Sequence, residues 1–193
     1  MKKSSILILI IICLVGCKKG SNETTITGEI KGLGTDTLYL YGMDELYDRI
    51  DTIYVENDKF SYTTSVDTIT SAYLLLKNRI EYPVFLDKGN KIKIKGDTIN
   101  LNFLTISGNI YNEEFTDFQK ALEDPADPSE KASEETVDKR ITVEKANTAE
   151  EMAEEFILQH HSSYVSLYLL DKYFVQKETP DFSKIKKLVE VMT

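Results

Sequence analysis

The chain has 193 residues, with 23 Lys and Arg against 32 Asp and Glu, for a net charge of −9. An acidic protein repels phosphate, so nucleic acid is excluded as an expected partner, and so is attachment to anionic lipid through a basic patch. With Cys13 and Cys17 as its only cysteines, it has no basis for a disulfide scaffold, a C-x-x-C redox motif or a cysteine-ligated metal.

The N-terminus, MKKSSILILIIICLVGC, reads as an export signal over residues 1–16. Lys2 and Lys3 give a positive start, and the apolar run over residues 6–15 is far shorter than the ~20 residues of a membrane-spanning helix. Leu14-Val15-Gly16-Cys17 matches the bacterial lipobox. Cleavage is expected between Gly16 and Cys17, with the Cys17 thiol taking up the lipid. The expected product is a lipid-anchored envelope protein. Residues 17–23 then form a polar tether without the acidic run associated with surface export, so the expected location is the periplasmic face. Losing Lys2 and Lys3 leaves 21 basic residues against 32 acids, a mature charge of −11. Cys13 leaves with the signal and Cys17 is acylated, so no free thiol is expected.

Residues 24–108 read as a β-rich domain. TTITGEIKG, TDTLYLYG, RIDTIYVEND, KFSYTTSV, SAYLLLKN, EYPVFLDKG, NKIKIKGD and NLNFLTISG alternate apolar and polar residues, with Gly, Asn and Asp between the runs. This pattern predicts an antiparallel β-sandwich or small barrel. Asn57-Asp58 is a turn signal; Leu38 and Leu40 point one way, Tyr39 and Tyr41 the other; KIKIKG has one solvated face; and Leu74-Leu75-Leu76 suggests a strand covered on both sides.

Residues 109–193 change to helical periodicity, so the class is α+β. Tyr111, Phe115, Phe118 and Leu122 form a first stripe. EDPADPSEKASEE is expected as an exposed loop or helix break. Thr148-Ala-Glu-Glu151 is a capping box, with Ala149, Met152, Ala153, Phe156 and Ile157 behind it. Ser162 or Ser163 caps YVSLYLLDKYF. Thr179-Pro180-Asp181 opens a last helix, with Pro at the first helical position and Ile185, Leu188, Val189 and Met192 as its stripe. That stripe needs a surface to bury against, so a further C-terminal domain is expected.

The order of segments resembles the N-terminal region of lipid-anchored thioredoxin-like proteins, the thiol–disulfide interchange and alkyl-hydroperoxide-reductase-like group. That region is known as domain of unknown function 4369. The resemblance rests on ITGEIKG, TLYLY, FSYTTSV, YPVFLDKGNKIKIKGD, ISGNIYNEEFTDF and FILQHHSSYVSLYLLDKYF. It implies a β-rich domain on a lipid tether, and a helical linker towards a thioredoxin part that carries the C-x-x-C. No such motif lies within these residues, so no catalytic residue carries over.

Other candidate sites are weaker. Adjacent helical residues point about 100° apart, so His160 and His161 fit a helix C-terminus better than a shared metal. Asp44, Glu45, Asp48 and Asp51 lack EF-hand spacing and read as a solvated loop; no metal or cofactor is expected. Tyr39, Tyr41, Tyr54 and Tyr62 are a possible aromatic ligand face, against the plainer reading of half-buried cross-strand pairs. Hydrolase and nucleotide motifs are missing. The expected function is a non-catalytic envelope domain accessory to, or truncated from, a thioredoxin-like oxidoreductase, which contacts that domain or a second copy of itself. The alternative is a stand-alone lipoprotein module that binds a peptide or glycan.

Overall fold

The computed structural model describes residues 22–42, 45–123 and 148–192. The expected signal, Gly16, Cys17, Asp44 and the acidic stretch after Glu123 that was expected as a loop lie outside them. Eight strands come first: β1 (Glu23–Lys31), β2 (Asp36–Tyr41), β3 (Ile50–Val55), β4 (Lys59–Ser65), β5 (Thr70–Leu75), β6 (Glu81–Leu86), β7 (Lys91–Asp97) and β8 (Thr105–Ser107). Four α-helices follow: α1 (Ile110–Glu123), α2 (Ala149–Gln159), α3 (Tyr164–Leu170) and α4 (Phe182–Met192).

The architecture is α+β, with two four-stranded sheets. Sheet A runs β4-β1-β7-β8 and sheet B runs β3-β2-β5-β6. The strands are hydrogen-bonded into two separate sheets, a sandwich rather than a barrel. One pairing departs from the antiparallel expectation: β1 and β7 are parallel, with Ile26 opposite Ile92. Period-two alternation reports which side of a strand is buried, not the direction of its neighbour. A pair separated by residues 32–90 escapes that reading.

Alternation sets the core. Ile26, Ile30, Ile92 and Ile94 of sheet A are buried, as are Leu38, Leu40, Ile53, Ala72, Leu74 and Val84 of sheet B. Leu75 of the leucine run is only half-buried, on the outer side. Gly28 leaves room for the Phe60 ring, because a Cβ there would come within 2.1 Å of it. The β3–β4 hairpin turns at Asn57 and Asp58, both at positive φ (51° and 69°), the backbone of a two-residue primed turn for which Asn and Asp are suited.

One side of the sandwich is held by the β3–β4 hairpin. The other, where β6 and β8 are the edge strands, is closed by α1. Asn112 is buried and works as a substitute strand: its Oδ1 accepts from Phe85 N at 3.0 Å and its Nδ2 donates to Phe85 O at 2.8 Å. One helical turn later, Thr116 does the same for β8, accepting from Ile106 N and donating to Ile106 O, both at 3.0 Å. Two edge strands that would otherwise leave buried polar groups unpaired are thereby satisfied by one helix.

Between these polar ties, α1 carries Phe115 and Phe118 into an aromatic cluster. The Phe115 ring lies 5.9 Å from Tyr82, 6.1 Å from Phe85, 6.4 Å from Phe118 and 5.3 Å from Tyr168. Tyr168 on α3 also meets Phe85 and Tyr73, so the helical half wraps the β6 edge onto the outer face of sheet B. The capping box at Thr148 is formed, and Ser163 caps α3. At α4 the capping residue is Asp181, whose Oδ1 accepts from Ser183 N and Lys184 N. Pro180 therefore precedes the cap instead of occupying the first helical position; the stronger side-chain acceptor sets the boundary. Lys184 ties α4 to α2, at 2.7 Å from Glu154 and 3.6 Å from Glu150.

Candidate functional site

Three of the four tyrosines considered from sequence share one surface. On the outer face of sheet B, Tyr39 stands opposite Thr52 and Leu75, Tyr54 opposite Thr37, and Tyr41 opposite Ile50 and Tyr73. Tyr54 and Ile50 are each 73 % exposed and Tyr39 is 42 % exposed. Tyr41 stacks on Tyr73 at 5.8 Å, and its hydroxyl proton is held more tightly than usual, through burial and then the nearby Glu81 carboxylate. The result is an aromatic strip across β3, β2 and β5, bounded by Tyr168 of α3.

Tyr62 is not part of that strip. The Asn57-Asp58 turn carries the chain from sheet B to sheet A, and the outward residues of β4 are Ser61 and Thr63. Tyr62 follows the inward parity of Phe60 and Thr64, opposite Ile26. It joins a polar cluster between the sheets. There the buried Tyr47 hydroxyl donates to Asp51 Oδ2 at 2.6 Å, Arg49 Nε lies 3.2 Å from the same oxygen, and the Arg49 guanidinium sits 4.6 Å from the Tyr47 ring centre. Arg49 also donates to Thr64 Oγ1 and Ser65 O. This network joins β3 to the end of β4, and each of its polar groups has a structural partner.

The acidic cluster is thereby divided. Asp51 belongs to the network, while Glu45 and Asp48 are exposed. Among the described residues, no group of three or more His, Cys, Asp or Glu is placed to hold a metal. His160 ends α2; its ring stacks on Phe156 at 4.2 Å with Nδ1 3.2 Å from Phe156 O. His161 lines a 250 Å³ hollow with Leu167, Val189 and Met192. The two histidines thus have different surroundings. No helix of the described residues is long and apolar enough to cross a membrane.

Residues 24–115 match the family described as Domain of unknown function (DUF4369). That stretch ends within α1 and takes in both sheets together with Asn112 and Phe115. No curated protein and no solved structure matches the chain.

Two buried tyrosines give a pH signature. Burial, then the Asp51 carboxylate, pushes Tyr47 up to about 12; burial pushes Tyr82, whose hydroxyl donates to Leu104 O, to about 12 as well. A pKa raised in the folded state means that the folded chain holds its proton while the unfolded chain loses it near pH 10. Stability from these groups is therefore complete below pH 10 and is lost as pH rises to 12. Denaturation midpoints measured from pH 9 to 12 are expected to fall, and to fall less steeply in Tyr47→Phe and Tyr82→Phe.

Sequence reasoning missed two features. Asn112 and Thr116 are polar residues inside a helix whose sequence signal is its apolar stripe. KIKIKG was read one strand at a time, so the lysine field that forms when β7 lies beside β1 did not emerge.

Proposed function

We propose that the chain is a lipid-anchored envelope domain that works by contact and not by bond-making chemistry, in the service of a thioredoxin-like oxidoreductase. The observation that carries this reading is the exposed strip on sheet B formed by the aromatic Tyr39 and Tyr54 with the aliphatic Ile50, while the polar cluster of Tyr47, Arg49 and Asp51 is engaged in holding strands together. Aromatic residues standing on a rigid sheet are efficient contact groups because they lose little conformational freedom on binding. The lipobox ending at Cys17 supports the anchor, and the resemblance to the N-terminal region of thioredoxin-like lipoproteins supports the kind of partner.

In a bacterial host, palmitate label is expected to follow this chain and to vanish in Cys17→Ser. The purified chain is expected to reduce no insulin disulfides. Label that persists in Cys17→Ser would overturn the anchor, and insulin turnover would overturn the non-catalytic reading. The second reading, a free-standing module for a peptide or glycan, rests on the same strip.

A further inference from the structure

The outer face of sheet A carries charge of the opposite sign to the chain. Its residues fall in rows across the strands: Ser65 and Glu23; then Thr63, Thr25 and Lys91; then Ser61, Thr27, Lys93 and Ser107; then Lys59, Glu29, Lys95 and Thr105; then Lys31 and Asp97, so that five lysines stand against three acids. Lys31, Lys59, Lys91, Lys93 and Lys95 are all exposed, and none forms an ion pair among the described residues. Lys91 and Lys93 have hydroxyl residues, not carboxylates, directly across from them. Beyond the end of the field, in the β7–β8 connection, Ile99 is 93 % exposed. It overhangs a hollow of about 620 Å³ that Lys31 and Lys95 also line. Basic side chains over a hydroxyl-rich surface, with one exposed aliphatic side chain at its end, are the chemistry of a peripheral contact with a bilayer.

We infer that this face lies against an anionic membrane surface. Charge complementarity fits an anionic surface, and the position of the field beside the tether favours lipid over an acidic protein. The field starts at the strand the tether leads into: Thr25, opposite Lys91, is near the beginning of β1, and Lys18 and Lys19 come shortly before it in sequence. Whole-chain charge predicts the opposite; the sheet separates signs that composition averages. The orientation rests on the anchor at Cys17 proposed above: acyl chains hold the protein at the bilayer, and the lysines set how it lies. The aromatic strip, on the other sheet, then points into the periplasm.

The test uses the unacylated chain beginning at Lys18, which keeps every described element, with vesicles of equal parts phosphatidylglycerol and phosphatidylcholine. Co-sedimentation is expected with these vesicles and not with phosphatidylcholine alone, and 0.5 M salt is expected to abolish it. Lys91→Gln, Lys93→Gln and Lys95→Gln together are expected to lower partitioning by about tenfold or more, with an unchanged circular dichroism spectrum. Equal binding to both vesicle types, or binding that the triple variant keeps, overturns the inference. So does binding of soluble polyglutamate with none to vesicles, which would assign the field to an acidic protein. Because this chain lacks Cys17, failure here leaves the palmitate result standing, and the reverse.

Discussion

Phe115→Ala is expected to lower stability by about 3–5 kcal/mol. Phe115 is buried on α1 and touches four rings, two of which lie on opposite sides of β6: Tyr82, facing the core, and Phe85, facing outward. Removing Phe115 opens a cavity under Tyr168 that the backbone of α1, tied by Asn112 and Thr116, is not free to fill. Denaturant unfolding measures the loss, and near-ultraviolet circular dichroism is expected to weaken because Tyr82 and Tyr168 lose their asymmetric surroundings. A loss under about 1.5 kcal/mol, the size of a tolerated core swap, would mean that α1 is not packed as described.

Asn112→Ala is expected to cost about 1–3 kcal/mol. The Phe85 carbonyl keeps a donor in Asn109 Nδ2 at 2.9 Å, but the Phe85 N–H loses its partner in a place water does not reach. Asn112→Asp is expected to be no better, since its second oxygen would face the Phe85 carbonyl where a donor is required. Thr116→Val, nearly equal in shape, removes only the hydroxyl and is expected to cost about 1–3 kcal/mol. Chemical denaturation of the single variants and the pair checks both values. Because both residues dock one helix, the pair is expected to cost less than the two single losses combined.

The strands were legible because each short run alternates, and because Asn57-Asp58 suits the positive φ of its turn. The helices were legible from their stripes, and the caps at Thr148 and Ser163 from their hydroxyls. The start of α4 was displaced because Asp181 competes with Pro180 for the boundary, which is settled by hydrogen bonds to Ser183 and Lys184. Of the candidate surface, Tyr39 and Tyr41 follow from strand parity. Tyr54 joins them only because β3 pairs with β2, and Tyr62 is lost because β4 belongs to the other sheet. Strand parity says which residues share a side of one strand. Which strands share a sheet is decided by packing across dozens of residues, so the tyrosine strip and the lysine field exist only after assembly.

The parallel pairing of β1 with β7 bears on the order in which the chain can fold. Ile26 sits at the centre of sheet A, yet one of its two neighbours, Ile92, is delivered 66 residues later. Loop closure over that span is slow relative to hairpin formation. A chain that emerges N-terminus first, from the ribosome or in the proposed export, therefore presents the apolar side of β1 before β7 has emerged. The β4 pairing covers one edge in the interval and leaves the other open. Under the export proposed above, the chain should accordingly depend on a holding factor, or on the pace of translocation, at least up to the passage of Asp97.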